Sequence, residues 1–188
     1  MSDKQTQLLE ASIELFAENG FWNTPTSQIA KHAGVATGTL FNYFPTKEAL
    51  IDGVFLKLKH EQSAYLQEGL SSDSDLKSCL EHIWYRYIDW AMENRTRYTL
   101  MQQLKLSELV SESAHQQQAE EYAFIVQLLK QAIDEQILID VSPMYIGVVA
   151  LSQMNGAVAY ATMNNLQDMP LAKHITQAFE IFWRGIER

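Results

Sequence analysis

TPTSQIAKHAGVATGTLFNYFPTKEAL, residues 24–50, is the stretch that decides the fold. Thr24-Pro25 has the form of an N-cap followed by proline at the first helical position, where a missing N–H costs nothing. That predicts a short helix from about Pro25 to Ala33, with Ile29 and Ala30 facing inward. Ala33-Gly34-Val35 reads as a tight turn, Val35 plugging the junction, and Thr37 to Phe44 as a second short helix. Pro45-Thr46 ends that helix and caps a longer one running from Lys47 to about Leu70. Two short helices across a glycine turn, preceded by a third, form the geometric core of a helix-turn-helix.

Upstream, Leu8, Leu9, Ala11, Ser12, Leu15 and Phe16 keep helical spacing, and Asn19-Gly20 stops that helix with glycine in the left-handed cap position. Downstream, apolar periodicity predicts helices at about 75–94, 96–110, 112–137, 143–164 and 170–186. No stretch alternates with period two, so the expected class is all-α. The expected division is a helix-turn-helix domain over 1–48 and a second helical domain over 49–188, to which effector binding and dimerisation are assigned on the residues described below.

Net charge is −9, an unpromising balance for a nucleic-acid partner. Residues 1–60 carry five lysines against six acids, however, while the remainder carries nine basic residues against 17 acidic ones. The negative charge therefore sits almost wholly outside the segment expected to meet a polyanion, which is not itself basic. The richest apolar run, Met144 to Met163, is interrupted by Gly147, Gln153, Asn155 and Gly156, which excludes a membrane-spanning helix. Met1 to Thr6 lack the apolar core of a secretory signal, and Cys79 is the only cysteine, so a cytoplasmic location is expected.

The second short helix carries the chemistry. Leu40, Phe41 and Phe44 can face the core, leaving Thr37, Gly38, Thr39, Asn42 and Tyr43 outward. A helix meant only for solvent would carry Glu, Lys and Gln. Small polar residues instead suit close approach to a groove, where hydroxyls reach phosphates and base edges. Lys47 opens the long helix, where a cation opposes the dipole. A phosphate there would satisfy lysine and helix together; a solvated lysine is the plain alternative.

LLEASIELFAENGF (residues 8–21) and the stretch quoted above resemble the N-terminal domain of the TetR family of bacterial transcriptional regulators. The resemblance runs without a gap through the helix-turn-helix and implies that the second short helix reads the major groove of operator DNA. By position, it casts Thr37, Gly38, Thr39 and Asn42 on the base side, and Thr26, Ser27, Tyr43 and Lys47 on phosphates. Three positions depart from the family pattern. Ala36 replaces a capping serine, Phe41 a tyrosine, and Thr37 a frequent lysine, which removes a charge and softens the salt dependence of binding.

Beyond residue 60 the resemblance fades, although 179–185 is similar to the closing helix of some members. Trp84, Tyr87 and Trp90 share one predicted helix, and Tyr98, Met101, Phe124 and Met154 are candidates to converge on them. Such residues are commonly plain core, yet their density suits an apolar effector, which relatives hold in this region. Gly147 and Gly156 within one helix suggest close helix approach. With the amphipathic helix at 170–186, this predicts a homodimer interface through Ile146, Val149, Gln153, Gly156, Ala157, Tyr160, Ile175, Phe179 and Phe182. A buried intrachain helix pair is the alternative. Two-fold symmetry would match a palindromic operator.

No H-E-x-x-H, glycine-rich phosphate loop or Cys–His pair at metal spacing occurs. The expectation is therefore a non-enzyme without metal or cofactor. The leading reading is a DNA-binding repressor released by a small apolar or aromatic effector. Its alternatives are a regulator acting through a protein partner without an effector pocket, and a small-molecule-binding helical protein that has lost DNA binding.

Overall fold

The computed structural model describes residues 3–71 and 74–188. Among them are ten helices and no strand. They are α1 (Asp3–Asn19), α2 (Thr26–His32), α3 (Thr37–Tyr43), α4 (Lys47–Gln67), α5 (Leu76–Glu93), α6 (Arg95–Leu106), α7 (Glu112–Glu121), α8 (Ala123–Asp134), α9 (Pro143–Met163) and α10 (Asp168–Ile186). By packing, the chain divides into two compact units, each made of two separated stretches. Unit 1 is Met1–Glu61 with Asn94–Glu120, and unit 2 is Gln62–Glu93 with Glu121–Arg188. The division expected at residue 48 is one of function, and these packing units are drawn on a different basis.

In unit 1, α1 packs on α2, α3 and α6. The turn after α2 is built as its sequence suggests. Gly34 takes φ +68°, and the Val35 and Gly34 amides donate to the carbonyls of Ala30 and Lys31 at 2.9 and 3.1 Å. Gly20 ends α1 in the same left-handed region. Thr24 does not cap α2 as expected. Its buried hydroxyl donates to the carbonyls of Gly20 and Leu15, so it closes the end of α1, and Pro25 holds the N-cap position of α2. Thr46 does cap α4, its hydroxyl accepting from the Ala49 amide at 3.1 Å.

Leu40 and Phe44 anchor α3 in the core, but Phe41 does not join them: it is 43 % exposed. Helix geometry explains this. Leu40 and Phe44 lie four residues apart on one face, and Phe41 sits about 100° round from Leu40, off that face. Phe44 lies close to Gly53, where an added Cβ would stand 2.8 Å from the Phe44 ring and 3.1 Å from Leu9.

Four charges tie the helices of unit 1 together. Lys57 bridges Glu10 and Glu61 at 3.0 and 2.8 Å, and Arg97 bridges the same two carboxylates at 2.5 and 2.9 Å. Burial pushes Glu10 up, but hydrogen bonds from Lys57 and Arg97 outweigh it and hold the carboxyl below its ordinary range. Burial pushes Lys57 down, and its two glutamate partners outweigh that.

In unit 2, α5 packs on α9 and α10, and α8 on α9. Trp84 stacks on Phe182 with centroids 5.0 Å apart and meets Phe179 edge-on. The single helix expected over 112–137 is divided at Tyr122, whose φ of −110° and ψ of 8° leave the helix and whose hydroxyl donates to Gln62. The composition changes there too, from polar ESAHQQQAEE to apolar AFIVQLLKQAID.

Two outcomes follow. Gly53→Ala gains about 1 kcal/mol of helix propensity but overpacks Phe44 at a cost of about 1–3 kcal/mol. The net effect is a melting temperature lower by about 2–4 °C in a thermal scan, with Gly53→Leu worse. The Glu10 contribution to stability is present above the ordinary carboxylate value of 4.5 and lost as pH falls through its depressed folded value. Arg97→Met should therefore destabilise at pH 7 by about 1 kcal/mol in low salt, less in high salt, and the deficit should shrink below pH 4.5 in urea titrations.

Candidate DNA interface

The interface candidates lie in unit 1, on α2, α3 and the start of α4. On α3, Thr37, Gly38 and Asn42 are exposed, Thr39 is half-buried, and Tyr43 is 37 % exposed. Ala36 occupies the N-cap position with no side-chain capping bond, so Thr37, the first helical residue, is not committed to capping. Ser27 is exposed, and Thr26 and Lys47 are half-buried. The outer face of α3 thus presents hydroxyls, an amide and a glycine with open space around it. These groups match the donors and acceptors of base edges and phosphates.

Exposed Trp22 and the four-charge network were not singled out in the sequence. Trp22 is the most exposed aromatic of unit 1 among the described residues. The network links residues up to 87 positions apart, so no local pattern signals it. Lys59 was missed as well. Burial, with a contribution from Lys105, pushes its ammonium down to about 8.

The residues expected to line an effector pocket fall into two groups. Trp84, Tyr87, Trp90, Phe124 and Met154 belong to unit 2, whereas Tyr98 and Met101 lie on α6 in unit 1. Trp84, Tyr87, Trp90 and Met154 are buried and Phe124 half-buried. Trp84 is engaged by Phe179 and Phe182, and the Tyr87 hydroxyl donates to Asn155 at 2.7 Å. A groove of about 660 Å³ lies elsewhere, lined by His174, Gln177, Ala178, Ile181 and Arg184 of α10 among others.

The expected interface residues divide in the same way. Gln153, Gly156 and Tyr160 are exposed and Val149 is half-buried, but Ile146, Ala157, Ile175, Phe179 and Phe182 are buried within the chain. Those five belong to the inner faces of α9 and α10, which pack on each other and on α5. The large apolar residues left outside on these two helices are Met144, Tyr145, Val148, Met163, Met169 and Ile181, beside Tyr160.

Residues 8–54 match the family profile described as bacterial regulatory proteins, tetR family, and residues 80–184 match that of the tetracyclin repressor-like C-terminal domain. The chain belongs to the TetR family. A protein of Shewanella sp. PV-4 described as a tetR family transcription regulator is 31 % identical over the whole of both chains, with a TM-score of 0.90. FadR from Bacillus subtilis, solved in complex with stearoyl-CoA, shares the TetR fold over 97 % of this chain and 99 % of its own, with a TM-score of 0.78 at 21 % identity. In sequence, the fatty acid metabolism regulator protein of Bacillus subtilis is 34 % identical over 77 residues, 41 % of this chain and 40 % of that one. The nucleoid occlusion factor SlmA of Actinobacillus pleuropneumoniae is 27 % identical over 95 residues, half of this chain and 47 % of its own. The chain thus spans less than half the length of these two curated relatives. Both family profiles fit the all-α fold with an N-terminal helix-turn-helix, and no described helix is long and apolar enough to cross a membrane.

For the TetR head, Lys47→Ala should weaken operator binding about equally across operator variants and lower the salt slope by about 1. Tyr43→Phe should weaken binding with the slope kept, because a hydroxyl and no charge is lost. Gel-shift titrations at several salt concentrations measure both, and unchanged affinity in both variants would sink the phosphate assignment.

Proposed function

We propose that this TetR-family chain is a homodimeric repressor of transcription that binds a palindromic operator in double-stranded DNA and is released by a small apolar or aromatic effector. The observation that carries the reading is the divided face of α3. Leu40 and Phe44 hold its inner side in the core, while Thr37, Gly38 and Asn42 are exposed and Thr39 is half-buried, and in this reading these four meet base edges. Thr26, Ser27, Tyr43 and Lys47 supply the phosphate contacts in this reading. They fix register without selecting sequence.

The dimer is proposed through the outer faces of α9 and α10. Tyr145, Val148, Gly156, Tyr160 and Met163 recur at helical spacing along α9, and Tyr160 is 55 % exposed. On α10, Ile181 is 70 % exposed beside the groove. A contiguous apolar face of this kind supports contact with a second copy. The effector is proposed to enter unit 2 near Trp84, Tyr87, Trp90, Phe124 and Met154. The Trp84 indole N–H is buried and makes no hydrogen bond among the described residues, which supports a ligand carrying an acceptor. FadR of Bacillus subtilis, solved with stearoyl-CoA, makes long acyl compounds a reasonable first class to try.

Gly156→Arg tests the assembly, since its Cβ position is open within the chain. The wild type should sediment as a dimer at micromolar concentration, and the variant should sediment as a folded monomer. Operator affinity of the variant should drop by about 100-fold or more through loss of the second half-site. A monomeric wild type overturns the interface. For release, tryptophan fluorescence is titrated with stearoyl-CoA and a panel of lipophilic compounds, with and without operator. A true effector binds the operator complex more weakly by the same factor, about 5–150-fold, by which it weakens operator binding. Quenching that leaves operator affinity unchanged would defeat the release mechanism.

A further inference from the structure

Phe41 is a large apolar side chain that the packing of unit 1 covers only in part. The core contacts of α3 are made by Leu40 and Phe44, yet Phe41 stays 43 % exposed on a helix whose other outward residues are small or polar. Side chains on a helix lean toward the preceding turn, which for Phe41 carries Thr37 and Gly38. Gly38 has no side chain, and nothing lies within 4 Å of its Cβ position. Phe41 thus keeps 43 % of its surface exposed, and the position of Gly38 one turn earlier is open. Phe41 and Tyr43 flank Asn42, each turned about 100° from it along the helix. Tyr43 carries a hydroxyl that can donate to a phosphate oxygen. Phe41 has no donor at all and can gain only by burying its ring against an apolar surface. The major groove offers one such surface, the C5 methyl of thymine.

We infer that Phe41 is a specificity-determining residue that reads the C5 methyl of a thymine in each operator half-site. This rests on the operator-binding reading above and adds to it a base identity. Asn42 and the threonines select by hydrogen bonds, and Phe41 selects by hydrophobic contact. Uracil differs from thymine only by that methyl, so replacing one with the other isolates the contact without altering pairing or charge.

Operator fragments are first selected from genomic DNA with the wild-type protein. Each thymine is then replaced singly by uracil, and wild type, Phe41→Ala and Phe41→Leu are titrated by gel shift at fixed salt. At one thymine per half-site, uracil should weaken the wild type about fourfold, the factor for one buried carbon. Phe41→Ala should bind the thymine and uracil operators equally, and Phe41→Leu should keep part of the preference. Circular dichroism checks that the variants are folded, and if Phe41→Ala is not, Phe41→Leu carries the same comparison. Uracil tolerated by the wild type at every position, or an equal loss in wild type and variants, overturns the assignment while leaving operator binding intact. A wild type that retains no genomic fragment overturns both.

Discussion

The close approach of α4 to Phe44 at Gly53 is the contact on which the rest of unit 1 depends. Phe44 closes α3, and its ring lies where any Cβ at position 53 would have to go. With Leu40 four residues earlier, it pins one face of a seven-residue helix that could not hold its shape alone. Once that face is pinned, the opposite one has no freedom left. Gly38 and Asn42 stand exposed and Thr39 is half-buried, with Phe41 and Tyr43 on either side of Asn42. The base-reading surface proposed for this face needs rigidity behind it, because hydrogen bonds to base edges depend on close placement.

Electrostatics work in the same direction. Arg97 and Lys57 each serve both Glu10 and Glu61, so three helices of unit 1 share one closed set of charges. Exposed single ion pairs contribute little, but a half-buried network with every charge answered holds helix to helix in one register. The excess of acidic residues lies beyond residue 60, which spares the reading head a repulsive field toward phosphates.

Unit 2 solves a different problem with two-sided helices. The inner faces of α9 and α10 are used within the chain, where Phe179 and Phe182 enclose Trp84. Their outer faces keep tyrosines, methionines and Ile181 exposed. On α9 both faces are apolar, which is why it has no clear polar side in its sequence and why periodicity could not say which of its residues serve the interior.

The sequence by itself determined the helical class, the glycine turn at Gly34, the Thr46 cap and the family, because each rests on local chemistry: a φ that glycine adopts freely, a hydroxyl three residues from an amide, a gapless motif. Tertiary structure decided what depends on distant partners. It turned Thr24 from an α2 cap into an α1 closure, since the Leu15 and Gly20 carbonyls are within its reach. It left Phe41 outside the core, and it placed Ile146, Ala157, Ile175, Phe179 and Phe182 inside the chain rather than on its surface. It also broke the helix at Tyr122, where the phenol finds Gln62, 60 residues away. A side chain's own sequence neighbours state that it is apolar or polar; only the elements folded against it decide which face is covered.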